Sequence, residues 1–151
     1  MPDTFISLMN FNLNWYQEID DNLNLYYESI HEKYKNEGYQ MINHVPPRAT
    51  GAIIFENSEE RAASIFYDEF KYKNAIWINI AFVEKNHRKK GLYKVMHEYL
   101  NHVAINLSKN RIYSSIHLQN KLMIDKISKS VGYESLMTIV YKNVNQTIQD
   151  H

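Results

Sequence analysis

The chain predicts an α+β domain: a mixed, mostly antiparallel sheet that holds one parallel strand–helix–strand unit, with helices on both faces. Three observations predict it. Gly51 to Glu56 and Arg61 to Phe70 are two apolar runs joined by the polar turn NSEE, the pattern of a hairpin. Ala75 to Val83 (AIWINIAFV) is apolar apart from Asn79, as expected of a central strand covered on both faces. Behind it, Leu92, Val95, Met96, Tyr99, Leu100, Val103, Ala104 and Leu107 recur at helical spacing, and Arg111 to Leu118 reads as a further strand. That succession should form a right-handed parallel crossover.

The other elements follow in order. Phe5 to Phe11 is apolar-rich and is a candidate first strand. Tyr16, Ile19, Leu23, Tyr26, Ile30 and Tyr34 fall three or four apart, which predicts a helix over Asn14 to Asn36, with Asn14 as its cap and Gly38 as its stop. HVPPRA (His44 to Ala49) must be a connector, because adjacent prolines fit neither a helix interior nor a central strand. KYKN turns the chain between the second and third strands of the meander, and Asn106 to Asn110 is the exit turn of the long helix. Leu122 to Val131 reads as a shorter helix stopped by Gly132, and Tyr133 to Val144 as one last strand, followed by a polar tail.

Composition narrows the function classes. At 151 residues without repeats or low-complexity tracts, the sequence reads as one domain, 1–151. It has no Cys, which removes disulfides, thiolate zinc sites and a thiol nucleophile. No apolar run approaches the roughly 18 residues of a membrane span. The start lacks a basic n-region, so a cytoplasmic location is expected. Lys and Arg number 17, as do Asp and Glu, and this balance argues against a nucleic-acid coat or an anionic membrane surface. The balance hides a local bias. Glu84 to Lys94 (EKNHRKKGLYK) carries five Lys or Arg against one Glu, whereas Asp20, Asp21, Glu28, Glu32 and Glu37 make the first 37 residues lean acidic.

The cationic segment lies between the buried strand and the long helix, where chemistry is expected. The exposed N–H groups of a helix's first turn bind anions, and the helix dipole assists. Gly91, without a Cβ, lets the backbone approach a phosphate oxygen, and Arg88, Lys89, Lys90 and Lys94 surround that point with positive charge. Neither a Walker loop nor a GxGxxG fingerprint is present. Read alone, such a loop is most often just a solvated basic turn.

VEKNHRKKGLYKVMHEYL resembles the acetyl-CoA-binding motif of the GNAT-superfamily N-acetyltransferases: Gln or Arg, two residues, Gly, one residue, then Gly or Ala, between a strand ending in Val and a long helix. Arg88 and Gly91 match it, and Tyr93 stands where a small residue is usual. Downstream, Asn120, the helix Leu122 to Val131 and Gly132-Tyr133 follow the family's order, with one residue more between Asn120 and Gly132 than is commonest. The resemblance covers Ile76 to about Tyr141.

The resemblance implies a GNAT-like fold and acetyl-CoA as cosubstrate. It makes residues 75–142 the acetyl-CoA-binding core and residues 1–50 a helical acceptor-side region. The strand before the loop would splay from its neighbour, and the main chain of Ile80, Ala81, Phe82 and Val83 would bond the pantetheine arm. The pyrophosphate would sit on the main-chain N–H groups of Arg88, Lys89, Lys90, Gly91, Leu92, Tyr93 and Lys94. Asn120 would contact the cofactor near its acyl end, or cap the next helix. Direct transfer to a primary amine needs an oxyanion donor, implied near Phe82 or Val83, together with a base for the ammonium.

The acid and base are not evident. Where the family often has a Tyr acid, this chain has Ser128, and Asn79 stands on the central strand where many members carry Glu. Asp68 and Glu69 are alternative bases and Tyr113 an alternative acid. His97 and His102, five apart, suit no shared metal, and His87 is expected to be solvated. Tyr26, Tyr27 and Tyr34 either pack in the core or line an acceptor cleft. The partners implied are acetyl-CoA and an amine held in a protein or a small molecule, with a homodimer left open. A catalytically degenerate GNAT module that binds CoA or a protein partner is the alternative to an enzyme, and a small nucleic-acid binder is a third reading.

Overall fold

The computed structural model describes residues 2–37, 48–70, 74–115, 134–136 and 139–144. The chain begins with β1 (Asp3–Leu8), β2 (Phe11–Tyr16) and α1 (Asp21–Asn36). A meander follows: β3 (Gly51–Glu56), β4 (Arg61–Phe70) and β5 (Ala75–Val83). Then come α2 (Leu92–Asn106), β6 (Arg111–Ser115), β7 (Glu134–Leu136) and β8 (Ile139–Asn143). The strands form one sheet in the order β1-β2-β3-β4-β5-β6-β8-β7. Among the described residues only β5 and β6 run parallel, and α2 is the helix between them. β3, β4 and β5 have the limits the sequence predicts, and α2 differs by one residue at its end.

Three elements differ from expectation. The candidate first strand Phe5 to Phe11 divides into β1, which ends at Leu8, a turn at Met9-Asn10, and the first residue of β2. The helix expected from Asn14 begins at Asp21, and Asn14, Trp15 and Tyr16 belong to a strand. Phe11, Leu13 and Trp15 alternate into the core with Asn12 outside, which is the period of a strand. Asn14 accepts from Thr4 Oγ1 (2.7 Å) and donates to Glu56 Oε2 (2.9 Å), so it ties three strands together rather than capping a helix. The helix cap is Asp20, whose side chain accepts from the Leu23 N–H at 2.8 Å. The hairpin turn carries positive φ at both Met9 and Asn10 (53° and 66°), the twist that tight hairpins favour. At the other end, the run expected as one strand forms β7 and β8, which pair with each other, Leu136 opposite Ile139. Gly38, the helix Leu122 to Val131, Gly132, Asn120 and Ser128 lie outside the described residues.

The helices cover opposite faces of the sheet. Leu13, Ile53, Phe55, Ile65, Ile76 and Ile78 pack with Met96, Leu100 and Val103 of α2. Ala52, Ile54, Phe66, Ile80 and Phe82 pack with Leu23, Tyr27 and Ile30 of α1. Each large side chain so buried contributes roughly 1.5–3 kcal/mol, so both layers hold the fold. In a regular strand Ile76, Ile78, Ile80 and Phe82 would all face the same way, yet here they divide between the faces. The register explains this: Tyr67 opposes Ile78 and Phe66 opposes Ile80, leaving Asn79 as the extra residue of a β-bulge. No helix among the described residues is long and apolar enough to cross a membrane.

Candidate active site

Among the described residues, the bulge coincides with a fork in the sheet. β5 pairs with β6 from Ala75 to Ile78, whereas its pairing with β4 continues to Val83. Beyond Ile78, β5 therefore has a ladder partner on one side only among the described residues. The Glu84 N–H donates to the Ala62 carbonyl at 2.9 Å, and the antiparallel alternation turns Phe82 and Ile80 toward β4. Ala81 and Val83 then present their N–H and C=O groups to the open side. Both carbonyls have found side-chain partners there. The Tyr34 hydroxyl donates to Ala81, and Arg88 Nε donates to Val83 at 2.9 Å.

The open edge leads to the start of α2. A 3-10 turn, Lys85–His87, precedes an extended Arg88. Lys89 and Gly91 then take positive φ (66° and 80°), an alternation that turns successive N–H groups to one side. Gly91 is the N-cap and no side chain caps this helix, so the first-turn amides lack the closure that Asp20 gives α1. Open space surrounds the position where a Gly91 Cβ would stand, so glycine is required there by its φ rather than by a close neighbour. Lys89, Lys90 and Lys94 are exposed around this point.

Arg88 is engaged differently from a free anion receptor. Its guanidinium makes a two-pronged pair with Glu37 (2.7 and 3.0 Å) and lies over the Phe82 ring at 5.5 Å. The hydrogen bond from Arg88 holds the Glu37 carboxyl below the usual carboxylate range. Lys33 bridges to Glu84 beside it. His87, expected to be solvated, is buried: Glu60 Oε1 lies 3.0 Å from its Nε2, and its ring meets Phe11 edge-on. Tyr93 packs against the α2-side core, with His97 at 4.3 Å between ring centres. Burial raises its pKa.

At the fork, Asn79 Nδ2 donates to Asp68 Oδ2 at 2.7 Å. Asp68 Oδ1 accepts from the Thr50 N–H (3.0 Å) and from Thr50 Oγ1 (3.1 Å). The Tyr27 hydroxyl adjoins both Asn79 and Asp68, and its pKa is pushed up to about 12, first by burial and then by the Asp68 charge. The register places Asp68, Trp77 and Tyr113 side by side across three strands, and Trp77 stacks on Tyr113 at 6.3 Å. Glu69 opposes Ile76 and so points to the α2 face, away from this group.

Solved structures share this architecture. A GNAT-family acetyltransferase from Listeria monocytogenes aligns with a TM-score of 0.68 at 12% identity, over 91% of this chain and 98% of that one. The fold is that of the GNAT acetyltransferases. The ribosomal-protein-S18-alanine N-acetyltransferase of Escherichia coli gives 0.61 at 9% identity, over 84% of this chain and 91% of that one. N-acetylglutamate synthase from Neisseria gonorrhoeae, complexed with coenzyme A and N-acetyl-glutamate, gives 0.62 at 9% identity, over 86% of this chain and 34% of that one. No protein-family model matches the sequence, and no curated protein matches it.

Within the GNAT fold, the expected cofactor residues fall into one tract: Ala81, Phe82 and Val83 on the open half of β5, and Arg88 to Lys94 at the α2 mouth. The side chains of Phe82 and Leu92 are core. The main chains of Ile80 and Phe82, expected to bond the arm, are turned to β4 instead, so only Ala81 and Val83 of the four face the open side. Tyr26 and Tyr27 are buried, and Tyr34 covers the strand edge. Tyr113 is buried, with Arg111 Nη1 3.2 Å from its hydroxyl. The residue pairing that sequence reasoning missed is Asp68 with Asn79. The one polar residue in an apolar strand was its signal, but the bulge that turns Asn79 toward β4 has no mark in composition.

Proposed function

We propose that the chain transfers an acetyl group from acetyl-CoA to a primary amine by direct attack on the thioester. One observation carries this reading. A strand edge that has no ladder partner among the described residues runs into a helix N-terminus without a side-chain cap and ringed by exposed lysines. The main-chain N–H groups of Arg88 to Lys94 would take the pyrophosphate. The open-side N–H groups of Ala81 and Val83 would bond the pantetheine amides as an added strand does. From Val83 back to Asn79 the strand covers about 13 Å, at ~3.3 Å per residue, so an arm laid along it brings its thioester toward the fork. Bound there, acetyl-CoA supplies the activated acyl carbon. The protein's part is to orient it, to donate hydrogen bonds to the developing oxyanion and to take the amine's proton.

A specific observation favours a second reading, a CoA- or protein-binding module without catalysis. Tyr34 and Arg88 already occupy the carbonyls of the open edge, and Glu37 neutralises the motif's arginine. The acidic tilt of α1 is likewise partly spent, since Asp21 pairs with Arg48. Two measurements separate the readings. Native mass spectrometry with acetyl-CoA should show a one-to-one complex, and thiol release should follow on adding a polyamine, an aminoglycoside or a peptide with a free N-terminus. Binding with no thiol release from any of these supports the module; no binding removes both.

A further inference from the structure

We infer that Asp68 is the proton acceptor for the incoming amine, and that Asn79, by its place in the bulge, is the residue that positions it. The inference rests on the acetyl-transfer reading and names a base within that same site.

The geometry argues by elimination first. The carboxylates near the open half of β5 are mostly neutralised: Glu37 by Arg88, Glu84 by Lys33, and Glu56 by Arg61 while it also accepts from Asn14 and Tyr16. Glu69 faces the other helix. Asp68 differs from them all, since its partners are neutral donors: Asn79, the Thr50 N–H and the Thr50 hydroxyl. No cation pairs with it among the described residues. Three donors fix the carboxylate, while its two oxygens accept about four hydrogen bonds, which leaves capacity for an ammonium. Tyr27 is the titratable group that faces it from α1.

The bulge explains why this pair exists at the fork and nowhere else. A regular strand would continue its alternation through residue 79. The inserted residue instead sets Asn79 against β4, beside Asp68. One backbone irregularity therefore aims an amide at Asp68.

The step balances. An ammonium proton passes to the Asp68 carboxylate, and the freed nitrogen lone pair forms the C–N bond at the thioester carbonyl. As the carbonyl re-forms, the C–S bond breaks and its electron pair leaves on sulfur. Sulfur takes the second proton shed by nitrogen, and Asp68 returns its own proton to water. No oxidant, reductant or metal is needed.

The test uses the full chain with acetyl-CoA and whichever of the three amines gives thiol release. Asp68→Asn, nearly the same shape, should keep its thermal melt and its affinity for acetyl-CoA while kcat falls about a hundred-fold or more. Raising the pH until the acceptor is largely free amine should restore much of the variant's rate and change the parent's far less, a recovery that a merely structural role would not show. Asp68→Glu should keep part of the rate, and Asn79→Ala should lower kcat more than it raises KM for acetyl-CoA. Normal kcat in a folded Asp68→Asn variant overturns the assignment of the base alone. If Asp68→Asn unfolds, the Asp68→Glu variant decides, since kcat independent of pH relative to the parent counts against the base. Failure of the parent to release thiol with any of the amines overturns the acetyl-transfer reading together with this one.

Discussion

The two halves of β5 are built to opposite rules. Ala75 to Ile78 has a ladder on each side and supplies Ile76 and Ile78 to the α2 face. Asn79 to Val83 has β4 on one side, supplies Ile80 and Phe82 to the α1 face, and shows its other edge to side chains. A buried backbone group without a partner costs free energy comparable to a lost hydrogen bond. Among the described residues, Tyr34 and Arg88 satisfy the carbonyls of this half. An edge held by side chains can exchange them for a ligand, whereas an edge held by another strand cannot without unpicking the sheet. On the acetyl-transfer reading, the first half is scaffold and the second would receive the ligand.

The largest effect should come at the junction of the two halves. Deleting Asn79 removes the bulge yet keeps both faces, because Ile78 opposite Tyr67 is then followed directly by Ile80 opposite Phe66; what is lost is the amide that holds Asp68. Thiol release by the deletion variant should fall at least as far as in Asn79→Ala, while both variants stay folded in thermal melting followed by circular dichroism. A deletion variant that releases thiol like the parent would break the comparison.

Next in size is a change at the end of the open half. Gly91→Glu places a carboxylate at the uncapped mouth of α2. The φ of 80° costs roughly 1–2 kcal/mol for a side-chain-bearing residue, and the space around the position is open, so the fold survives. Charge repulsion at the mouth should abolish measurable acetyl-CoA binding in native mass spectrometry. A folded variant that binds like the parent moves the diphosphate elsewhere.

These two tests concern residues of unequal visibility in the sequence. Gly91 and the basic loop were legible because helix-start chemistry is local: a glycine, a cluster of cations and an apolar stripe suffice. β3, β4 and β5 were legible because each apolar run ends at turn residues. The β1–β2 hairpin was not, since its turn is Met9-Asn10 without Gly or Pro, and Tyr16, Ile19 and Leu23 continue the spacing of α1 backward into a strand. The burial of His87 depends on Glu60 and Phe11, which are distant in sequence. Asn79 was visible as an oddity, but its partner Asp68 is set by a register that no local pattern encodes. Asn120 and Ser128 lie outside the described residues, so the acyl-end contacts implied by resemblance stay expectations.

A smaller change sharpens the comparison from the inside. Tyr34→Phe removes the hydroxyl that holds the Ala81 carbonyl and keeps the ring, which meets Phe82 edge-on. If the pantetheine arm uses that carbonyl, the tyrosine competes with it, and its net hydrogen bond is worth about 1 kcal/mol. Acetyl-CoA should then bind about five-fold tighter, read by isothermal titration calorimetry. Weaker binding would mean that Tyr34 is part of the ligand's wall and that the open edge is lined rather than latched.

The smallest effect is a titration that reports on the fork itself. Tyr16, Tyr26, Tyr27 and Tyr67 all have pKa values pushed up to about 12, in each case first by burial. An unfolded tyrosine ionises near 10, so these four groups stabilise the fold fully below that value. The contribution is lost as pH rises from about 10 through about 12, and alkaline unfolding should begin in that window. Only Tyr27 owes part of its rise to the Asp68 charge, while its hydrogen bond with Asn79 works the other way. Asp68→Asn should therefore lower the ionisation of one tyrosine in absorbance at 295 nm and leave the other three in place. If all four midpoints stay together, the carboxylate lies too far from Tyr27 for the closed and open halves of β5 to meet at this network, and the fork is held by packing alone.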